Sequence, residues 1–202
     1  MAKTSSEEKI LKSALKEFAK YGYEGARVDR IASRARINKA MIYYHYKGKE
    51  AVYETILTNT YNKVLSNVFD AIPEDKEPNE QIYIFFDNFL EFVNNIESDF
   101  ILIMIREISS GGKYFKKIAA PNLIVPAMSK IQNIFKTGTK NNILKDLEPV
   151  YTAFQIIGPV VFFNLIKIAL RGSEFEKVIF KENYIDNFKN NFLTILKSGI
   201  EK

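Results

Sequence analysis

The sequence contains no cysteine and a single histidine, His45, among its 202 residues. Without cysteine the chain cannot form a disulfide, a thiolate nucleophile or a cysteine-ligated metal site. A single histidine also excludes a metal site built from several histidines. We therefore expect a protein without a bound metal and without a cofactor.

The sequence also lacks a secretory signal and a long apolar run. The N-terminus, MAKTSSEEKI, is charged and has no apolar core of the kind that a signal peptide needs. The longest apolar stretch, residues 156–165, is interrupted by Gly158, Pro159 and Asn164, and it is too short to cross a bilayer. These features predict a cytoplasmic protein with no membrane partner.

Strand and hairpin patterns are missing as well, and apolar residues recur at helical spacing throughout the chain. The first helix is expected to begin at Thr4 or Ser5 and to end at Gly22, and Pro159 is expected to kink a long helix. The further helices are predicted near residues 28–35, 38–46, 49–71, 79–96, 99–109, 113–119, 122–136, 147–171 and 183–199. The prediction is an all-α protein with about nine helices.

Positive charge is concentrated at the start of the chain. Residues 1–50 contain 12 Lys and Arg against 6 Asp and Glu, whereas the remaining residues are close to neutral. A local basic excess of this kind is typical of a small nucleic-acid-binding domain, although an ordinary solvated surface gives the same count. We therefore predict a DNA-binding domain at residues 1–50, linked through the helix at 49–71 to a second domain at 51–202.

Residues 25–50, GARVDRIASRARINKAMIYYHYKGKE, indicate a short helix, a three-residue turn and a second short helix. In a helix-turn-helix the second helix enters the DNA major groove. Ile42 and Tyr46 are expected to face inward. Lys39 is suited to guanine or phosphate, and apolar groups beside it are suited to a thymine methyl. The tyrosines and His45 are suited to phosphate, but core or surface packing explains such residues equally well.

The same stretch resembles the TetR family of bacterial one-component transcriptional regulators. The family pattern around the turn is matched by Ile31-Ala32 and by residues 35–50, and an upstream pattern is matched by Phe18 to Tyr23. The likeness covers residues 7–55. It implies a three-helix helix-turn-helix bundle followed by a larger helical domain that binds a ligand and forms a dimer. An enzyme is not expected, because the chain has one histidine, no cysteine and no recognisable spacing of acid, base and nucleophile.

Three positions depart from the family pattern. Arg36 replaces the usual turn glycine, so either the turn avoids a positive φ or Arg36 adopts one. Ala26-Arg27 replaces a Thr-Thr pair, which removes a hydroxyl cap, and Ala40 replaces a glycine. The predicted DNA-binding residues are Arg27, Arg36, Lys39, Ala40, Met41, Tyr43, Tyr44, His45 and Lys49, the last at the start of a helix whose free N–H groups suit a phosphate.

The remainder of the chain is rich in aromatic residues, most of which must form the core. The resemblance implies a second role, which is to enclose an apolar pocket for a small hydrophobic or aromatic effector. The predicted ligand-binding residues are Phe85, Asn88, Phe89, Phe92, Met104, Phe115, Phe154, Gln155 and Phe162. For the amides, a locally satisfied core group remains the alternative.

The resemblance further implies a homodimer formed through the last two long helices. Such a dimer binds a palindromic operator in double-stranded DNA and most often represses transcription until the effector releases it. Two other functions stay open at this point, namely an all-helical enzyme and a DNA-binding protein without an effector. The sequence names neither the effector, the operator and the regulated genes, nor whether the protein represses or activates.

Overall fold

A computed structural model describes residues 5–202, and helices make up most of this range. No strand occurs in it, apart from an isolated bridge between Leu144 and Glu201, so the predicted all-α class is confirmed. The α-helices are α1 (Ser6–Gly25), α2 (Val28–Ala35), α3 (Lys39–Tyr46), α4 (Lys49–Val64), α5 (Pro78–Asn95), α6 (Ser98–Ser109), α7 (Val125–Lys140), α8 (Pro149–Leu170), α9 (Glu174–Ile179) and α10 (Tyr184–Ile200). The short helix α9 was not predicted.

The first helix begins where its local sequence predicts, but it ends three residues beyond the predicted end at Gly22. The Glu8 N–H donates to Ser5 Oγ at 3.1 Å, and the Ser5 N–H donates to the Glu8 carboxylate at 3.1 Å, which is a complete capping box. The alternative start at Thr4 lies outside the described residues. Gly22 adopts φ +68°, so the regular helix is interrupted there and one further turn follows to Gly25.

The region around Pro121 differs from the prediction. The sequence suggested a short helix that stops at this proline and a new helix from residue 122. Instead, a π-helical segment, Phe115–Ile124, passes through Pro121 and continues directly into α7. Hydrogen bonding in this segment has already left the α-helical pattern, so the missing N–H of proline does not end the helix. A second π-helical segment, Leu65–Asp70, extends α4.

The described residues form two compact units. The first contains residues 5–62 and Ile96–Leu123, and the second contains Lys63–Asn95 and Ile124–Lys202. The first unit thus adds α6 to the N-terminal helices, with α1 packed on both α2 and α6. The predicted boundary after residue 50 does not coincide with the division into these two units, and a boundary between functions at that position stays a prediction.

Four aromatic rings and one carboxylate organise the first unit. The rings of Phe18, Tyr23, Tyr53 and Tyr114 contact one another at centroid distances of 4.8 to 5.1 Å. Glu107 is buried beside them and accepts hydrogen bonds from the Tyr53 hydroxyl at 3.1 Å and from the Tyr114 N–H at 2.6 Å. Through Glu107, α6 is therefore joined to Tyr53 of α4 and to the backbone of Tyr114.

In the second unit, α5 packs against α7 and α8, and Phe86 of α5 stacks on Phe192 of α10 at 4.6 Å. Helix α8 is the one helix in residues 5–202 whose length and apolar composition would suffice to cross a membrane, with a mean hydropathy of 1.8. The prediction that the apolar stretch spans only residues 156–165 was therefore too short. Only 22% of the residues in its most apolar window are buried within the chain.

Candidate nucleic-acid interface

The turn between α2 and α3 is built without glycine. Arg36 ends α2 in the left-handed region, at φ 55° and ψ 48°, and the Ile37 N–H returns to the Ala32 carbonyl at 3.1 Å. Of the two alternatives that the sequence left open, Arg36 thus adopts the positive φ itself, at a modest conformational cost. Asn38 then caps α3, because its Oδ1 accepts the Ala40 N–H at 2.8 Å.

Helix α3 presents one buried face and one open face. Ile42 is fully buried, and Tyr46 is half-buried, as the inward-facing pair was expected to be. Burial raises the pKa of the Tyr46 hydroxyl. The open face contains four predicted DNA-binding residues, Lys39, Ala40, Tyr43 and Tyr44, and Tyr44 is 81% exposed. Met41 lies at the edge of this face and is half-buried.

The ammonium group of Lys39 already has a partner on α2. Lys39 Nζ lies 2.6 Å from Asp29 Oδ1, and both side chains are largely exposed. The hydrogen bond from Lys39 lowers the pKa of Asp29, and the same hydrogen bond raises the pKa of Lys39, so both groups stay charged near neutral pH. The sequence did not indicate this pair.

His45 is not free at the surface. Its Nδ1 lies 3.1 Å from Glu7 Oε1 of α1, and its side chain is only 17% exposed. Its Nε2 is buried and has no hydrogen-bond partner among the described residues. His45 therefore joins α3 to α1, and the predicted contact with phosphate, which stays untested, would require the ring to leave Glu7.

Lys49 is likewise engaged within the chain. Its Nζ donates to the carbonyls of Tyr23 at 2.8 Å, Ala26 at 3.3 Å and Glu24 at 3.4 Å, and it lies 4.4 Å from the centre of the Tyr23 ring. The ammonium group thus satisfies the carbonyls at the end of α1. Its predicted role as a phosphate contact stays a prediction, and the structure shows a second role that the sequence did not reveal.

A buried glutamate, also missed by the sequence analysis, fixes the start of α2. Glu17 is fully buried, and its Oε1 accepts the Arg27 N–H at 3.3 Å and Arg30 Nε at 2.5 Å, while Arg34 lies 3.9 Å from Oε2. As expected, no side chain caps α2, and the Arg27 side chain is exposed. The apolar stripe of α1 did not indicate that the carboxylate of Glu17, which lies among these positions, would be buried.

The predicted ligand-binding residues are divided between the two units. Phe85 and Phe89 are buried in the second unit, where Phe92 and Asn88 are half-buried and the Asn88 amide donates to the Val68 carbonyl at 3.3 Å. Met104 and Phe115 belong to the first unit, and Met104 accepts the Tyr61 hydroxyl through its sulfur at 3.1 Å. On α8 the predicted set lies on the surface: Phe154 (53% exposed), Phe162 (64% exposed) and Gln155.

An open surface cavity of about 460 Å³ lies in the second unit, between the end of α7 and the start of α8. Phe135, Leu147 and the stems of Lys136 and Lys140 contribute to its walls, and none of the predicted ligand-binding residues does. Among residues 5–202, no three acidic or histidine side chains come together as a metal site would require. The effector site therefore stays a prediction.

A capped helix-turn-helix with an exposed, basic and aromatic second helix defines a DNA-binding regulatory protein. Residues 10–56 match the family described as bacterial regulatory proteins, tetR family. Over these residues the chain is similar to this family of regulators, and the protein is a DNA-binding regulator of transcription.

One relative and two solved structures match along most of the chain. The biofilm operon icaADBC negative transcriptional regulator IcaR of Staphylococcus epidermidis is 23% identical over 200 residues, which cover 96% of this chain and 99% of that protein. AibR, solved with isovaleryl coenzyme A and operator DNA, superimposes with a TM-score of 0.70 at 19% identity, over 93% of this chain and 97% of AibR. The ketosteroid transcriptional regulator KstR2 of Mycobacterium tuberculosis superimposes with a TM-score of 0.72 at 17% identity, over 99% and 97% of the two chains.

Proposed function

We propose that this protein is a transcriptional repressor that binds a palindromic operator as a homodimer and leaves it when a small hydrophobic effector binds. The observation that carries the proposal is the open face of α3, on which Lys39, Ala40, Tyr43 and Tyr44 are exposed beside a capped turn. Such a face supplies both base-edge and phosphate contacts. Repression is supported by the likeness to IcaR, which is described as a negative regulator.

The dimer is supported by apolar surface that a single chain leaves uncovered. Tyr151, Phe154 and Phe162 of α8 and Ile195 of α10 are each between 53% and 68% exposed. A second copy that packs α8 and α10 against their equivalents buries these side chains and removes a large apolar surface from water. The two α3 helices of such a dimer then reach half-sites about 34–36 Å apart.

The same dimer supports a place in the cytoplasm, because a second copy of α8 provides the apolar partner that a bilayer would otherwise provide.

A role without catalysis is supported by how the chain uses its buried carboxylates. Glu17 and Glu107 both accept hydrogen bonds from backbone N–H groups and neighbouring side chains, which is a structural use of these groups.

The effector is expected to be a hydrophobic or planar molecule. AibR was solved with isovaleryl coenzyme A, whose acyl group is apolar, and the name of KstR2 refers to ketosteroids, so both names support an effector with an apolar part. An effector that favours one spacing of the two α3 helices by about 1–3 kcal/mol would change operator affinity roughly 5- to 150-fold. Pro159 inside α8 is a candidate two-state element, and full effector response in a Pro159→Ala variant would remove it from this role.

The decisive experiment is an anisotropy titration of the dimer with DNA from immediately upstream of its own gene, at about 150 mM salt with excess random competitor. Binding that survives the competitor and protects a palindrome would establish the regulator. A parallel selection from random duplexes covers an operator located elsewhere. A protein that prefers no sequence in either assay would contradict the proposal.

A matched pair of variants tests whether α3 forms the contact. Tyr44→Ala removes an exposed ring from the open face, and Phe175→Ala removes an exposed ring from α9. We expect Tyr44→Ala to weaken operator binding about tenfold, because this fold-change corresponds to the loss of about one hydrogen bond to a charged group. Phe175→Ala should leave operator binding unchanged. Equal effects of the two substitutions would argue against α3 as the helix that contacts the DNA.

A further inference from the structure

The pair formed by Asp29 and Lys39 brings an acidic group into the DNA-binding face. Asp29 lies in the first turn of α2 and Lys39 in the first turn of α3, so the turn between these helices brings the two residues together. The 2.6 Å contact joins the carboxylate to the same ammonium group that the open face of α3 would offer to DNA. Two other charged members of the predicted DNA-binding set, Arg27 and Arg36, are exposed.

The charge of Lys39 is neutralised as long as this pair persists. A lysine that reaches a phosphate releases a condensed counterion, and the salt dependence of DNA binding counts such contacts. A lysine held by a carboxylate makes no such contribution, and the carboxylate itself repels the phosphates. Since both side chains are exposed, the pair is weak and a well-placed acceptor on DNA is able to replace it.

We propose that Asp29 determines DNA specificity by withholding Lys39 from random DNA and releasing it only to the operator. On random sequence, no acceptor lies at a fixed position near α3, so the pair with Asp29 persists and one phosphate contact is lost. On the operator, the docked α3 places Lys39 next to a guanine edge or a phosphate, which replaces the carboxylate. The inference deepens the proposed operator binding and rests on it.

The test measures the affinity of the full-length protein for a random-sequence duplex and for the selected operator, each over a range of salt concentrations. Asp29→Asn keeps the shape of the side chain and removes its charge. We expect random-duplex affinity to rise roughly three- to tenfold and the slope of log affinity against log salt to steepen by up to about 0.9, the value for one phosphate. Operator affinity should change by less than about threefold, so the ratio of operator to random affinity falls.

A double-mutant cycle separates this mechanism from simple removal of a negative charge. In a Lys39→Met background Asp29→Asn should raise the affinity for the random duplex much less, because only the repulsion by the carboxylate is removed and there is no ammonium group to release. Glu24→Gln removes another exposed carboxylate of the same unit and should leave the salt slope unchanged. Circular dichroism confirms that these surface variants stay folded.

Three results would overturn the proposal: no change on Asp29→Asn, weaker binding to the random duplex, or the same gain in the Lys39→Met background. The random-duplex measurement does not depend on an operator. If the wild-type protein prefers no sequence while the cycle still shows coupling, the regulator function fails and the control of Lys39 by Asp29 remains. If the protein prefers the operator but the cycle shows no coupling, the regulator function stands and the proposed control of Lys39 by Asp29 fails.

Discussion

At the scale of single residues, two buried glutamates hold the DNA-binding unit together. Glu17 joins α1 to the start of α2, and Glu107 joins α6 to Tyr53 of α4 and to the backbone of residues 114 and 115. A buried carboxylate is stable only when hydrogen bonds replace its hydration, and both groups have such partners. Each therefore fixes the position of the helices that supply its donors.

Replacement of Glu107 should destabilise the protein strongly. Glu107→Ala leaves two backbone N–H groups and the Tyr53 hydroxyl without an acceptor, and each such loss costs about 1–3 kcal/mol. We expect a loss of about 3 kcal/mol or more in the free energy of unfolding, measured by urea denaturation. Glu91→Gln, at an exposed carboxylate, serves as the control. An unchanged urea midpoint for Glu107→Ala would show that water replaces the carboxylate without cost.

Buried tyrosines should make the fold sensitive to alkali. Burial, reinforced by the nearby Glu107 carboxylate, raises the pKa of Tyr53 and Tyr61 far above the ordinary value of 10.0. The folded state therefore favours the neutral phenols, while the unfolded chain ionises them near pH 10. The stabilisation is complete below pH 10 and is lost as the pH rises above that value.

This expectation is checked by ultraviolet absorbance of the phenolate together with circular dichroism. Ionisation of the buried tyrosines should coincide with unfolding. Tyr53→Phe, which removes one of these hydroxyl groups, should reduce the pH dependence of stability above pH 10. Ionisation of all eleven tyrosines of the chain before any loss of helix would contradict the burial of these groups.

At the scale of elements, helix ends and helix contacts follow different rules. Ser5 sets the start of α1 and Asn38 the start of α3 through bonds to residues within four positions, and Gly22 interrupts α1 near its end. The contact between α7 and the residues after it depends instead on the absence of a side chain at Gly138, whose hypothetical Cβ would lie 2.5 Å from Leu144 Cδ1. A helical glycine is therefore required here for packing rather than for its dihedral freedom.

Two glycine-to-alanine substitutions should have opposite effects. Gly138→Ala introduces a clash with Leu144 and with Pro78, 3.0 Å away, and we expect destabilisation of about 1–3 kcal/mol. Gly199→Ala in α10 meets no atom within 4 Å and should leave stability unchanged or raise it by up to about 1 kcal/mol. Thermal or urea denaturation measures both. A stabilised Gly138→Ala would mean that Leu144 moves aside freely.

At the scale of the whole molecule, the single chain is incomplete with respect to its apolar surface. Helix α8 has the most apolar composition of the long helices, yet only 22% of its most apolar window is buried. An apolar helix in this state requires a partner, and the proposed partner is the same helix of a second copy. Operator binding then depends on dimerisation, because one chain reads only one half-site.

A charge placed on α8 should separate the subunits. Phe162→Glu puts a carboxylate at a position that is 64% exposed in the single chain, so the chain itself should stay folded. Sedimentation should show half the mass of the wild-type protein, and operator affinity should fall with it. Ile108→Glu on α6, at a position that is 59% exposed, is the matched control and should stay dimeric. A dimeric Phe162→Glu protein would exclude this face as the interface.

The sequence by itself determined the helices and the turn that carry the proposed DNA contacts. A capping box, an Asn cap and apolar periodicity act between residues a few positions apart, so the start of α1 and both ends of α2 and α3 were predicted within one or two residues of their observed bounds. The end of α1 lies three residues beyond the predicted end at Gly22. The helix through Pro121 and the short helix α9 were not, because local breakers suggested interruptions that the chain does not obey.

Only the tertiary structure decided what the functional side chains do. Lys39 is paired with Asp29, His45 with Glu7, and Lys49 with the carbonyls at the end of α1. These partners lie 10 to 38 positions apart in the sequence, and no periodicity relates them. A lysine looks the same in a sequence whether its charge is free or held, because its partner is chosen by the packing of helices and not by its neighbours in the chain.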